Sequence, residues 1–170
     1  FNPKGDIIAP LVVKAFPIAD ELTFTSSGEV AQLPVFTTPA GRLSVLICAD
    51  SWYPASYDAI KGAGPELMAV PSYSAGDGLW ATPWAGYNGA NMPADIVRDD
   101  VRKITEGEAW LKYAMAGRAP NTGIRAGLNV FLRGELWDLG SDGATLRVSR
   151  DGSHRGAMVR GAALTNLWLN

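Results

Sequence analysis

Gly41-Arg42-Leu43-Ser44-Val45-Leu46-Ile47-Cys48-Ala49-Asp50-Ser51-Trp52-Tyr53-Pro54 is the stretch on which the reading of this chain turns. Leu43 to Cys48 is almost wholly apolar and follows Ala40-Gly41, a turn signal, so it reads as a strand buried on both faces. Ala55 to Gly62 then has helical character, with Gly62 at the position where a helix commonly stops. Glu66 to Pro71 is a second apolar run. Strand, short helix and strand in that order make a βαβ unit and place the chain in the α/β class.

Outward from this unit the pattern changes. Ile7 to Val13 is an apolar run after the turn-like Asn2-Pro3-Lys4-Gly5-Asp6 and is expected to be a strand that ends at Lys14. Residues 73–104 show no clear period. Gly76, Gly78, Pro83, Gly86, Gly89 and Pro93 alternate there with Tyr73, Trp80, Trp84 and Tyr87. A long irregular segment rich in aromatics is expected to be an ordered loop, either lining a pocket or packing on the surface. Thr105 and Glu108 have capping-box spacing, and Trp110, Tyr113, Ala114 and Gly117 mark one face of a helix that Pro120 should stop. Ile124 to Leu132, Ala144 to Val148 and Ala162 to Leu169 read as strands, with turns at 140–143 and 150–153. No linker divides the chain, so residues 1–170 are expected to form a single domain.

Composition narrows the function. The 170 residues are 47% hydrophobic and 19% charged with a formal net charge of −2, an ordinary globular balance without the basic footprint of a nucleic-acid or membrane-surface binder. No apolar run reaches the roughly 18 residues that a membrane span needs. One cysteine rules out an internal disulfide and suits a reducing, cytoplasmic setting. With one Cys and one His, no metal site is expected. No phosphate loop or dinucleotide fingerprint is present, so no cofactor is expected either.

Cys48 is the residue with chemical promise. A strand-to-helix corner exposes a side chain at the carboxyl edge of a sheet and gathers backbone N–H groups at one point, as a nucleophile and its oxyanion site require. A lone Cys is more often an inert core residue, and position alone does not separate the two. Lys14 and Glu21 read by default as surface charges. His154 falls in a Gly/Ser turn, which gives little support to a Cys–His pair.

Taken together, these segments resemble the nitrilase superfamily. Gly41 to Pro54 looks like that family's nucleophile segment, and Gly62-Ala63-Gly64-Pro65-Glu66-Leu67-Met68-Ala69-Val70-Pro71-Ser72 looks like the strand that follows it. Asn2-Pro3-Lys4-Gly5-Asp6-Ile7-Ile8 and Lys14-Ala15-Phe16-Pro17 resemble its turn, strand and catalytic lysine. Weaker likeness continues through Trp110 to Ala119, Asn121-Thr122-Gly123, Asn129 and the hairpin from Gly143 to Gly152.

The resemblance implies an α-β-β-α sandwich, here partial, and a Glu–Lys–Cys triad that cleaves carbon–nitrogen bonds through an acyl-enzyme. On it, Cys48 is the nucleophile and Lys14 the electrostatic partner. Glu21 matches a second glutamate that positions substrate or water. Ala49, Asp50, Trp52 and Tyr73 would serve the oxyanion or the substrate. Cys48-Ala49-Asp50 is closer to the amidase-like branches than to nitrilases proper, which usually carry Trp-Glu after the Cys.

The implied substrate is a small amide or nitrile, with transfer to an amine as an alternative outcome and a homodimer or larger homo-oligomer as the assembly. There are departures. The triad glutamate lies well before the lysine in this family, and among residues 1–13 only Asp6 is acidic, so sequence ahead of Phe1 is expected. Pro120 stands where a Glu usually precedes Asn. The departures keep open a structural or binding role without catalysis.

Overall fold

The computed structural model describes residues 1–87, 91–134 and 136–169. Its centre is one mixed sheet of six strands in sequential order: β1 Val35–Thr38, β2 Gly41–Val45, β3 Leu67–Ser72, β4 Ala126–Phe131, β5 Leu146–Ser149 and β6 Gly152–Arg155. β2, β3 and β4 run parallel, while β1, β5 and β6 are attached by antiparallel pairing. The expected βαβ unit is β2, helix α1 (Pro54–Lys61) and β3. Pro54 opens α1 at its first turn, where the missing N–H costs nothing. Gly62 keeps a right-handed conformation, and the left-handed turn falls two residues later at Gly64.

Side chains alternate across the sheet. Ser44, Leu46, Met68, Val70, Ser72, Asn129, Phe131, Leu146 and Val148 are buried under the helices and the long loop. Leu43, Val45, Ala69 and Leu128 on the opposite face are only half covered, and Val130 is 42% exposed. A sheet apolar on both faces is what a layered sandwich requires, since each face needs a cover. Asn129 is a buried exception that ties two strands together, donating to the Val70 carbonyl at 2.9 Å and to Ser72 Oγ at 2.8 Å.

The long segment 73–104 is core material as well as loop. Trp80 and Trp84 are buried against Trp110, Phe131, Trp52 and Tyr113. Asp142 holds the loop from the β4–β5 side, accepting from the Trp80 N–H at 2.7 Å. Arg118 holds it from the helical side with a two-pronged pair to Asp95. Gly89 lies outside the described residues.

Five expectations are corrected. Residues 7–13 form no strand, because Pro10 removes a ladder donor in mid-run. Residues 162–169 form none either, and Leu164 and Trp168 stand exposed. The helix expected to run to Pro120 breaks earlier. α2 (Glu106–Tyr113) ends at Ala114, whose ψ of −159° is not helical, and α3 (Met115–Arg118) restarts in a new direction. Pro120 then sits inside a short 3-10 turn instead of stopping the helix. Finally, β1 and β6 occur where no strand was expected, β6 beginning within the turn at 150–153. Among the described residues, no helix is long and apolar enough to cross a membrane.

Two measurements follow from this packing. Gly107 on α2 lies flat against Trp80, and a Cβ there would overlap the indole. Gly107→Ala should gain up to about 1 kcal/mol of helix propensity and lose about 1–3 kcal/mol to overpacking, a net destabilisation readable by denaturant unfolding. Expressed as this 170-residue chain, the protein should self-associate through its open sheet face. Val130→Lys should raise the monomer fraction in size-exclusion chromatography.

Candidate active site

The carboxyl ends of parallel strands are where α/β sheets build sites. β2 continues through Leu46, whose N–H reaches the Ala69 carbonyl at 3.1 Å, and then the chain turns sharply at Cys48. Cys48 has φ +51°, a left-handed conformation that a non-glycine residue holds only under constraint. The constraint is a 3-10 turn over Cys48–Trp52. In it, Ser51 Oγ donates to the Cys48 carbonyl at 2.7 Å and the Tyr57 hydroxyl donates to the Ser51 carbonyl at 2.8 Å. The thiol is half-buried, and Sγ lies 3.8 Å from the carbonyl of Tyr73, the first residue past β3. The Tyr73 ring points away, its hydroxyl donating to the Gly140 carbonyl at 2.6 Å.

Lys14 reaches this corner without a strand beneath it. Its carbonyl is fixed by the Gly28 N–H at 2.8 Å. The next two residues are held by Asp50: the Ala15 and Phe16 N–H groups donate to Asp50 Oδ1 at 3.0 and 2.8 Å, and Ile47 N–H donates to Oδ2 at 3.1 Å. Phe16 also stacks on Tyr53, with ring centroids 3.7 Å apart and planes within 8°. The segment that carries Lys14 and the turn that carries Cys48 are therefore one body. The Lys14 ammonium pairs with Glu21 Oε2, which also accepts the Ile18 N–H at 2.8 Å.

Asp50 is fully buried and its carboxylate is taken up by backbone N–H groups. Burial pushes its carboxyl above the ordinary carboxylate range, against the pull of those three donors and of the Lys14 charge. Trp52 is equally far from solvent, at 3% exposure. It packs between Trp84, Tyr87, Trp110 and Tyr113 in the aromatic core. Ala49 is buried beside it in the first turn after the corner. Tyr87, from the long loop, packs edge-on against Tyr53 at 5.6 Å; burial raises its phenol far above the usual tyrosine value, and the neighbouring Tyr53 adds to that.

His154 sits on β6, four strands from β2, roughly 19 Å away at the usual strand spacing. It takes no part in this corner, which removes the Cys–His arrangement. Asp6 is spent in its own exposed turn, accepting from Asn2 Nδ2 at 2.8 Å.

Comparison with solved structures bears on the fold. A cysteine-to-serine mutant of the amidase from Nesterenkonia sp. AN1, of the nitrilase superfamily, superposes with a TM-score of 0.60 at 20% identity, covering 92% of this chain and 48% of that one. This chain has the nitrilase-superfamily amidase fold. A second form of the Nesterenkonia enzyme, with acrylamide added at its active-site cysteine, gives 0.56 at 21% identity, covering 88% and 46%. A third, a cysteine-to-alanine mutant in complex with butyramide, gives 0.56 at 19%, covering 86% and 49%. The chain thus spans about half the length of the structures it matches. No protein-family model matches it, and no curated protein does.

Sequence reasoning missed Asp50 as the fastener of the lysine segment, because its partners lie 35 and 34 residues away. It also gave Trp52 a substrate role where the structure gives it a core position. Trp52→Ala should accordingly cost about 3–5 kcal/mol in unfolding free energy, the price of a large buried aromatic. A pocket-lining residue would cost far less and change substrate affinity instead.

Proposed function

We propose that this chain is the nucleophile-bearing part of a carbon–nitrogen hydrolase that cleaves small amides through a Cys48 acyl-enzyme. The observation that carries this is the left-handed Cys48 at the strand corner, with the Lys14 segment fastened to the same turn. The amides bound or added in the Nesterenkonia structures support the substrate class. Membership of the nitrilase superfamily, a cytoplasmic setting and self-association belong to the same reading.

The chemistry runs in two halves. The Cys48 thiolate attacks the amide carbon, and the carbonyl π electrons move onto oxygen. The Lys14 ammonium and the Ala49 N–H, a first-turn donor with no intrahelical acceptor, stabilise that oxyanion. Collapse expels the nitrogen as ammonia once it has received the proton first held by the thiol, leaving a thioester. Water then adds, releasing the carboxylic acid and the free thiol. The Tyr73 carbonyl, which faces the thiol, accepts a hydrogen bond from the substrate amide N–H. Glu21 aims Lys14.

The proton acceptor is a different carboxylate. Asp50 is committed to three backbone donors, and Glu21 to Lys14 and Ile18. The reading calls for the glutamate that the nitrilase likeness places ahead of the lysine.

Ammonia release from butyramide by the complete protein tests the proposal. Cys48→Ala should abolish turnover and Lys14→Met should lower kcat about a hundredfold or more. Alkylation of Cys48 by iodoacetamide at neutral pH, which needs no substrate, should slow by about tenfold in Lys14→Met. An unchanged alkylation rate would remove Lys14 from the site.

A further inference from the structure

We propose that Asp50 is a positioning residue for the reaction, holding the Lys14 ammonium at its working distance from the Cys48 sulfur through the backbone alone. The inference rests on the hydrolase reading above and extends it to a residue that touches neither substrate nor thiol.

Three observations carry it. The first is connectivity. One carboxylate receives N–H groups from two separate segments, Ala15 and Phe16 on the lysine side and Ile47 on the nucleophile side. Ala15 is the immediate neighbour of Lys14, and Ile47 the immediate neighbour of Cys48. The separation of the two backbone segments that carry Lys14 and Cys48 is therefore fixed by this bridge.

The second is how few restraints act on the backbone of the lysine side. Residues 7–13 belong to no strand, so no sheet ladder fixes Lys14 from behind. Apart from Asp50, the backbone beside Lys14 is held by the Gly28 N–H on the Lys14 carbonyl and by the face-to-face packing of Phe16 on Tyr53, while Glu21 holds the ammonium end and the Ile18 N–H. The packing permits sliding in the plane of the rings. Hydrogen bonds of 2.8–3.1 Å to a charged acceptor do not.

The third is burial. Asp50 has no exposed surface, and the groups that face it are the three donors, the turn backbone and the charge of Lys14. A fully buried carboxylate is costly unless its lone pairs are filled, and here they are filled by the two segments whose separation matters. An ordinary surface loop fastened to a core would not need an ion.

Asp50→Asn tests the assignment in the complete protein, since it keeps the shape and replaces one acceptor with an N–H₂ that faces donors. The readout is the rate of Cys48 alkylation by iodoacetamide in four forms: wild type, Asp50→Asn, Lys14→Met and the double variant. The expected result is that Asp50→Asn slows alkylation several-fold and that the double variant is no slower than Lys14→Met alone, because Asp50 acts through Lys14. An effect of Asp50→Asn that persists undiminished without Lys14, or a wild-type rate in Asp50→Asn beside a slowed Lys14→Met, would overturn the inference while leaving the hydrolase reading intact. A wild-type rate in Lys14→Met overturns that reading, and the inference with it.

Should Asp50→Asn fail to fold, hydrogen exchange on the wild-type protein decides the matter. The Ala15 and Phe16 amides should be protected to the same degree as the Ile47 amide, as parts of one opening unit. Much faster exchange at Ala15 and Phe16 would show that the bridge does not hold, and would overturn the proposal.

Discussion

Everything at this corner depends on a buried carboxylate that accepts only backbone hydrogen bonds. The balance of energies explains why such a group persists. The effective penalty for burying an ion is several kcal/mol. Three hydrogen bonds to a charged acceptor return about 1.5–3 kcal/mol each. The two are of the same size, so Asp50 contributes little net stability. Its contribution is geometric: an apolar residue at this position would leave the Ala15, Phe16 and Ile47 N–H groups without their acceptor and the two segments free to shift relative to one another.

The other side of the corner is held by apolar packing. Trp52, four residues after Cys48, is embedded in a cluster of rings contributed by α2 and by the long loop. The 3-10 turn is thus clamped between an aromatic core and a polar bridge. That double restraint is what a left-handed cysteine needs. A single non-glycine residue in this region costs of order 1–3 kcal/mol, which the surroundings must supply. The strained position is also the one that leaves a thiol half-exposed at the carboxyl end of the parallel strands, the observation on which the proposed role of Cys48 rests.

How much was legible in the sequence follows from the range of each interaction. β2, α1 and β3 were readable because their apolar runs and turn residues are local. The capping box at Thr105 and Glu108 was readable for the same reason, and both of its reciprocal bonds form. Residues 7–13 looked like a strand by hydrophobicity alone, and Pro10 was the contrary sign. β1 was missed although Val35-Phe36-Thr37-Thr38 followed by Pro39-Ala40-Gly41 is a strand and a turn. The break at Ala114 carried a fainter signal: Gly117 packs so closely on the Lys112 carbonyl that no side chain fits, which a straight helix would not demand. Cys48 stood out by its place at a strand-to-helix corner and by family likeness, Lys14 by family likeness alone, and the structure ties their segments together. Asp50 and Trp52 looked like site residues by proximity in sequence. Only tertiary structure shows one as a bridge and the other as core.

The division of labour among the acidic residues bears on the mechanism. A base that takes the thiol proton must have a free lone pair within reach and must be able to give the proton up again to the leaving nitrogen. Asp50 fails the first condition, being enclosed. Glu21 is engaged differently: its Oε2 takes both the Lys14 ammonium and the Ile18 N–H, which fixes the carboxylate against the lysine. These same contacts suit them to structural work, since each carboxylate joins groups from separate residues at fixed positions. Separating the groups that hold from the group that exchanges protons lets the acceptor be tuned without loosening the lysine. On the proposed hydrolase reading, the corner built from residues 14–73 keeps its geometry through Asp50 and Trp52, and a base has only to reach it.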